Sequence, residues 1–181
     1  MLKKAVFLDR DGVLNRAEMR DGRPYPPASL ADLQILPGVS DACATLRRAG
    51  FLLVVVTNQP DIARGKQSVH TVDEINEYLK HELQLDHVRV CPHDDADGCA
   101  CRKPAPGLLL DAARNFGIDL GQSFLVGDRW RDIEAGRQAG VRTILIDYQY
   151  REKQANADHV VQNLSEAADW ILTQTAAEVC P

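Results

Sequence analysis

The sequence predicts an α/β fold: a doubly wound, Rossmann-like parallel sheet. Three observations carry this. Short β-branched or apolar runs alternate with helical patterns along the chain. One run, residues 51–56, is almost continuously apolar, as a strand covered on both faces requires. Polar residues collect just past the ends of these runs, where open parallel sheets bind their ligands.

Each element follows from local signals. Residues 5–8 form the first strand. A helix follows Pro37-Gly38, turns Val39, Cys43 and Leu46 inward, and stops at Gly50. After strand 51–56, the run Thr71-Val72-Asp73-Glu74 has capping-box spacing and predicts a helix from there towards Leu85. Residues 88–90 are a third strand. Residues 107–116 are helical up to Gly117, and 124–126 are the fourth strand. A helix through Ile133 to Ala139, stopped by Gly140, leads to a strand at 143–146. Residues 159–161 add an edge strand and 165–175 a closing helix. No repeat, low-complexity tract or linker interrupts the pattern, so one domain over 1–181 is expected.

Composition narrows the class. At 181 residues, 45% hydrophobic and 26% charged, the chain suits a globular domain with a full core. A net charge of -5 argues against general nucleic-acid binding, which needs a basic face. No apolar run approaches the roughly 20 residues that span a bilayer. The first residues lead straight into a strand and do not read as a signal peptide. Five cysteines are an odd number for a disulfide framework. A reduced, cytoplasmic protein is expected.

The chemistry begins at Asp9-Arg10-Asp11-Gly12. On an extended chain residues i and i+2 share a side, so Asp9 and Asp11 face one small volume. Gly12 lets the chain turn away without a side chain in the site. Two neighbouring carboxylates repel unless a cation or a division of labour compensates, which points to metal-assisted chemistry. Phosphoryl transfer needs a nucleophile, a proton donor, donors for the equatorial oxygens and a cation. Asp9 can be the nucleophile and Asp11 the acid and then the base. Thr57 offers a hydroxyl and a backbone N–H, and Lys103 a point charge. Asp128, with Asp132 four residues on, offers oxygens to Mg²⁺.

These residues, in this order, resemble the haloacid dehalogenase-like phosphatases. That family's pattern of Asp-x-Asp-Gly, then Thr or Ser, then Lys, then Gly-Asp-x-x-x-Asp is matched by 9–12, Thr57, Lys103 and 127–132. The resemblance covers nearly the whole chain and implies an aspartyl-phosphate mechanism. It also implies that Asp9 and Asp128 bind Mg²⁺ through carboxylates and Asp11 through its backbone carbonyl, with Asp132 ordering the site or holding metal-bound water.

A second metal is indicated independently. Cys91-Pro92-His93 and Cys99-Ala100-Cys101 make a Cys-x-His and Cys-x-Cys set fit for a closed, structural Zn²⁺ site. The intervening 94–98 is too polar and turn-prone to pack as core. Cys43 reads as a core helix residue; neither it nor Cys180 is given a role. The loop 91–101 leads directly into Arg102 and Lys103, so zinc there would fix both cations.

The zinc pattern narrows the resemblance to a branch containing the heptose 1,7-bisphosphate phosphatases and the histidinol-phosphate phosphatases. Asp-Arg-Asp-Gly, Thr-Asn-Gln and Cys-Arg-Lys-Pro are shared by both. Ile62-Ala63-Arg64-Gly65 resembles the heptose branch, although Pro60-Asp61 of this chain depart from the Ser-Gly usual there; the short zinc loop resembles the histidinol branch. The heptose reading implies removal of the 7-phosphate of D-glycero-D-manno-heptose 1,7-bisphosphate, in lipopolysaccharide or nucleotide-heptose biosynthesis. It also implies that Asn58 and Gln59 touch substrate and that Asn15 and Tyr25 border it. Intervals 12–56 and 58–102 are largely used by predicted elements, leaving no room for a cap domain. Loops must therefore supply selectivity, with Arg102 the candidate to hold a second phosphate and Arg64 either an alternative for it or a solvated loop charge. A monomer acting on a small phosphorylated sugar, with no nucleic-acid or membrane partner, is expected. The competing readings are a histidinol-phosphate phosphatase, a nucleic-acid end phosphatase, and an inactive zinc module that binds a phosphorylated partner.

Overall fold

The computed structural model describes residues 2–20 and 23–177; Cys180 lies outside them. In chain order the strands are β1 (Ala5–Leu8), β2 (Glu18–Arg20), β3 (Arg23–Tyr25), β4 (Leu52–Asn58), β5 (His87–Cys91), β6 (Phe124–Gly127), β7 (Arg142–Ile146) and β8 (His159–Val161). The helices are α1 (Val39–Arg48), α2 (Val69–Glu82), α3 (Gly107–Phe116), α4 (Trp130–Ala139) and α5 (Leu164–Ala177). Six strands form one sheet in the order β5-β4-β1-β6-β7-β8, every pairing parallel.

The period-2 alternation of β1 explains its central place. Val6 and Leu8 face a core layer with Leu53, Val55, Phe124 and Val126, closed by α1, α2 and α5 through Leu46, Ile75 and Ile171. Ala5 and Phe7 face the opposite layer with Val54, Val56 and Leu125, closed by α3 and α4 through Leu109 and Ala135. All four β1 residues are fully buried. Chain reversal at β1 puts the connection to α1 on one side and the return to β6 on the other, so a crevice opens at the carboxyl ends of β1, β4 and β6.

Most boundaries shift by a residue or two, and two of the differences have a clear cause. The strand read as 51–56 runs on to Asn58, because Thr57 and Asn58 still pair with Val90 and Cys91. Helix α2 starts at Val69, ahead of Thr71. Ser68 is its cap, and its hydroxyl accepts the Thr71 N–H at 3.0 Å. The antiparallel β2–β3 hairpin was not expected. The Asp21-Gly22 dipeptide between its strands is the signal that marks it. Among the described residues no cap domain stands over the sheet: this hairpin, the helices and the loop after β5 take up the intervals. Among them, too, no helix is long and apolar enough to cross a membrane.

Candidate active site

The β1 ladder continues one residue past the strand: the Asp9 N–H donates to the Val126 carbonyl at 2.9 Å. This fixes the Asp9 side chain over the crevice. Lys103 Nζ meets it there, 2.8 Å from Asp9 Oδ1, 2.5 Å from Asp132 Oδ1 and 2.7 Å from the Val56 carbonyl. Burial lifts the Asp9 carboxyl from 3.8 to about 6, against the pull of the Lys103 ammonium. Burial works to lower Lys103, yet Asp132 and Asp9 hold it above its usual range. Lys103 itself is placed by a two-bond clamp. Its N–H donates to Asn58 Oδ1 at 3.1 Å, and Asn58 Nδ2 donates to its carbonyl at 3.0 Å.

Asp128, at the end of β6, is the anomaly. Both its carboxylate oxygens are buried and accept no hydrogen bond of normal geometry. Burial, then the charges of Asp9 and Asp132, push its carboxyl well above the usual carboxylate range. The Tyr150 phenol is close enough to feel that charge, and burial with Asp128 raises it in turn. A buried carboxylate with neither a well-formed hydrogen bond nor a cation on it is costly, and a cation would complete this one. Asp132, by contrast, is satisfied: Lys103 takes Oδ1 and the Arg129 N–H donates to Oδ2 at 3.0 Å, at the start of α4.

Gly12 makes this approach possible. Its φ is +89°, and a Cβ there would stand 2.1 Å from Asp128 Oδ2. Gly12→Ala is therefore expected to displace Asp128 and to destabilise the fold by about 1–3 kcal/mol. Denaturant unfolding of the variant beside the wild type checks this; equal midpoints would refute it.

Asp11 is the most heavily hydrogen-bonded carboxylate of the site. Arg10 grips it with both Nε at 3.2 Å and Nη2 at 3.0 Å. Asn15 Nδ2 donates at 2.9 Å and Gln59 Nε2 at 2.8 Å. Gln59 also donates to the Thr57 hydroxyl at 2.8 Å. Asp9, Asp11, Thr57 and Lys103 open into one cleft of about 480 Å³, which Tyr25, Asn58, Arg64, Arg102, Asp128 and Asp132 also line. The set can hold a phosphoryl group between a carboxylate nucleophile, a hydroxyl, an ammonium and a cation site.

The loop after β5 closes a second cluster. The thiol pairs Cys91–Cys101, Cys99–Cys101 and Cys91–Cys99 stand 3.2, 3.4 and 3.7 Å apart. His93 Nδ1 is 3.3 Å from Cys101 Sγ and 3.6 Å from Cys91 Sγ. A tetrahedron with Zn–S bonds of about 2.3 Å has sulfur–sulfur edges of roughly 3.8 Å, so four donors converge at close to that spacing. Burial pushes the Cys91 thiol up to about 12. Burial also opposes ionisation of Cys99, but hydrogen bonds from Cys101, the backbone and Cys91 bring it down to about 7.

Comparison with known proteins agrees with this geometry. Residues 100–167 match the HAD-hydrolase-like family. The D-glycero-beta-D-manno-heptose-1,7-bisphosphate 7-phosphatase of Helicobacter pylori is 34% identical over 93% of this chain and 97% of its own. The chain belongs to the haloacid dehalogenase-like phosphatases, in the heptose bisphosphate phosphatase branch. The Vibrio cholerae phosphatase with the same description is 39% identical over 81% of this chain and 82% of its own. The crystal structure of D,D-heptose 1,7-bisphosphate phosphatase from B. bronchiseptica, complexed with magnesium and phosphate, superposes with a TM-score of 0.81. It is 33% identical and covers 94% of this chain and 99% of its own.

Within this phosphatase fold, some residues expected at a substrate turn elsewhere. Asn15 and Gln59 are buried behind Asp11 and spend their amides on its carboxylate, so they face the acid and not the open cleft. Arg64 lines the cleft, but Asp94 takes its Nε at 2.7 Å and Nη2 at 2.5 Å, and Asp61 takes Nη1. Arg102 donates to Asp95 at 2.8 Å through Nε, while its buried Nη1 has no partner. Asp95 also binds Arg131 at 2.9 Å. Sequence reasoning missed Asp95, Arg131 and Arg129, since surface charges carry no positional signal of their own. It also passed over Arg10, which alternation turns away from the Asp9 side.

Proposed function

We propose that this phosphatase removes the 7-phosphate of D-glycero-D-manno-heptose 1,7-bisphosphate through an aspartyl-phosphate, with Mg²⁺. The observation that carries it is the pairing of Asp9, held by Lys103, with Asp128, whose two buried oxygens accept no hydrogen bond of normal geometry. Mg²⁺ held by the Asp9 and Asp128 carboxylates and the Asp11 backbone carbonyl would supply the positive charge that lets anionic carboxylate and phosphate meet. Asp132, occupied by Lys103 and the Arg129 N–H, orders that site from outside it.

An Asp9 oxygen attacks phosphorus as the bond to the sugar O7 breaks, and Asp11 gives its proton to that oxygen. Asp11 then takes a proton from the water that attacks the phosphoryl group, releasing phosphate and restoring the Asp9 carboxylate. Lys103 and the Thr57 hydroxyl and N–H stabilise the equatorial oxygens. Arg102, with its free buried Nη1, holds the second phosphate. Tyr25 and Asn58 border the sugar, and Arg64 braces the loop beside it. The working form is a cytoplasmic monomer, a single domain over 1–181.

The test is kcat/KM with Mg²⁺ for both anomers of the heptose bisphosphate and for histidinol phosphate. A preference of several hundredfold, about 3–4 kcal/mol, is expected for the β anomer that the relatives' descriptions carry. Faster turnover of histidinol phosphate would overturn the substrate assignment in favour of the reading drawn from the short zinc loop.

Zinc on Cys91, His93, Cys99 and Cys101 is the second part of the proposal. Its role is to set the pose of Arg102 and Lys103, with no position left for substrate. Metal analysis of the purified protein is expected to find about one zinc per chain. Cys99→Ser is expected to lose that metal and unfold at a lower temperature. A variant with unchanged melting temperature and no zinc would sink it.

A further inference from the structure

We propose that Arg10 is the residue that positions Asp11 for proton transfer, an inference that rests on Asp11 being the acid and base of the reaction above. Arg10 is a charged side chain with no exposed surface. Burying a guanidinium is costly unless its donors are matched. Here Nε and Nη2 form a fork on the Asp11 carboxylate, and Nη1 donates to Asn76 Oδ1 at 3.0 Å. Asn76 is itself buried on the inner face of α2, so the fork is anchored to a core helix and not to a loop.

The remaining donors show why the fork matters. Asp11 receives two bonds on each oxygen, from Arg10 and Asn15 on Oδ1 and from Arg10 and Gln59 on Oδ2. Carrying a proton means surrendering one of them. Asn15 Nδ2 also reaches the Arg16 carbonyl at 3.1 Å, and Gln59 Nε2 the Thr57 hydroxyl at 2.8 Å. Either amide can therefore let go of Asp11 and stay bonded. The planar Arg10 fork has no such alternative, so it keeps the carboxyl plane fixed while the proton comes and goes.

A residue that acts only by positioning the acid should matter most where the leaving oxygen needs a proton. The heptose 7-phosphate leaves as a basic alkoxide, whereas p-nitrophenyl phosphate leaves as a stable phenolate. The experiment compares kcat on these two substrates for the wild type, Arg10→Lys and Asn76→Ala. Lysine keeps the charge and loses the fork. The sugar-to-aryl ratio of kcat is expected to fall by about 10-fold or more in Arg10→Lys and less in Asn76→Ala. Asn76→Ala removes the fork's anchor on α2 without replacing Arg10, and keeps the test open if Arg10→Lys does not fold. An unchanged ratio in both variants overturns the assignment. Asp11→Asn separates this failure from that of the underlying reading. A selective loss in Asp11→Asn alone removes Arg10 from the mechanism; an equal loss on both substrates removes Asp11 as the acid.

Discussion

Asp9→Asn is expected to reduce turnover of the heptose bisphosphate by about 10⁴-fold or more while leaving substrate affinity close to that of the wild type. The amide keeps the shape and can still accept from Lys103, but it cannot form the acyl phosphate. Steady-state kinetics with direct substrate binding by calorimetry check both halves; turnover within tenfold of wild type would end the nucleophile assignment. The same variant carries a stability signature. Asp9 has a folded pKa of about 6 against an ordinary 3.8, so its favourable contribution is complete below pH 3.8 and is lost as pH rises through 6. Without Mg²⁺, the variant is therefore expected to melt above the wild type at pH 7.5, with the gap closing towards pH 4. Mg²⁺, which needs the ionised carboxylate, should stabilise the wild type more at pH 7.5 than at pH 5.

Lys103→Met should be the most damaging single change to the fold. The ammonium is 2% exposed and bridges Asp9, Asp132 and the Val56 carbonyl. Replacing it leaves buried carboxylates facing one another beside Asp128, and breaking a buried pair of this kind costs about 3–5 kcal/mol. Urea unfolding near pH 7 is the measurement. Adding Asp132→Asn should recover part of the stability, because one of the stranded charges is then gone. Activity should not return with it, since the phosphoryl oxygens have lost their cation. A Lys103→Met protein as stable as the wild type would show that the carboxylates repel less than their burial implies.

Much of this site was legible because parallel sheets concentrate function at strand ends. Asp9, Thr57 and Asp128 each follow an apolar run, and the structure brings those runs together as β1, β4 and β6. The convergence of three thiols and an imidazole was equally plain, since such residues closely spaced in a polar loop have few uses besides holding a metal. What stayed hidden depends on side-chain direction across the fold. Nothing local says that Asn15 and Gln59 turn inward to Asp11, or that Asn76, on a helix 66 positions away, meets Arg10. The hydroxyl of Ser68 captured the start of α2 from a capping box three residues on, because two overlapping caps compete and only tertiary position chooses. The clasp of Arg102 and Arg131 by Asp95 joins the loop after β5 to the first turn of α4, a distance no pattern encodes.

Asp9, the proposed nucleophile, grows directly out of β1, which has a neighbouring strand on each side and a helical layer above and below. Such a strand is the last part of a domain to exchange its amide hydrogens, because releasing it means dismantling the whole sheet. Fluctuations that fray the hairpin or the outer strands therefore leave Asp9 in register with Val126. The Asp9 carboxylate thus sits on the most slowly opening segment, while the loops that line the cleft are held by surface ion pairs such as Arg64–Asp94 and Arg102–Asp95. On the proposed mechanism, catalytic geometry and substrate choice therefore reside in parts of the chain with separate lifetimes, and a change in the loops need not loosen the sheet that holds Asp9.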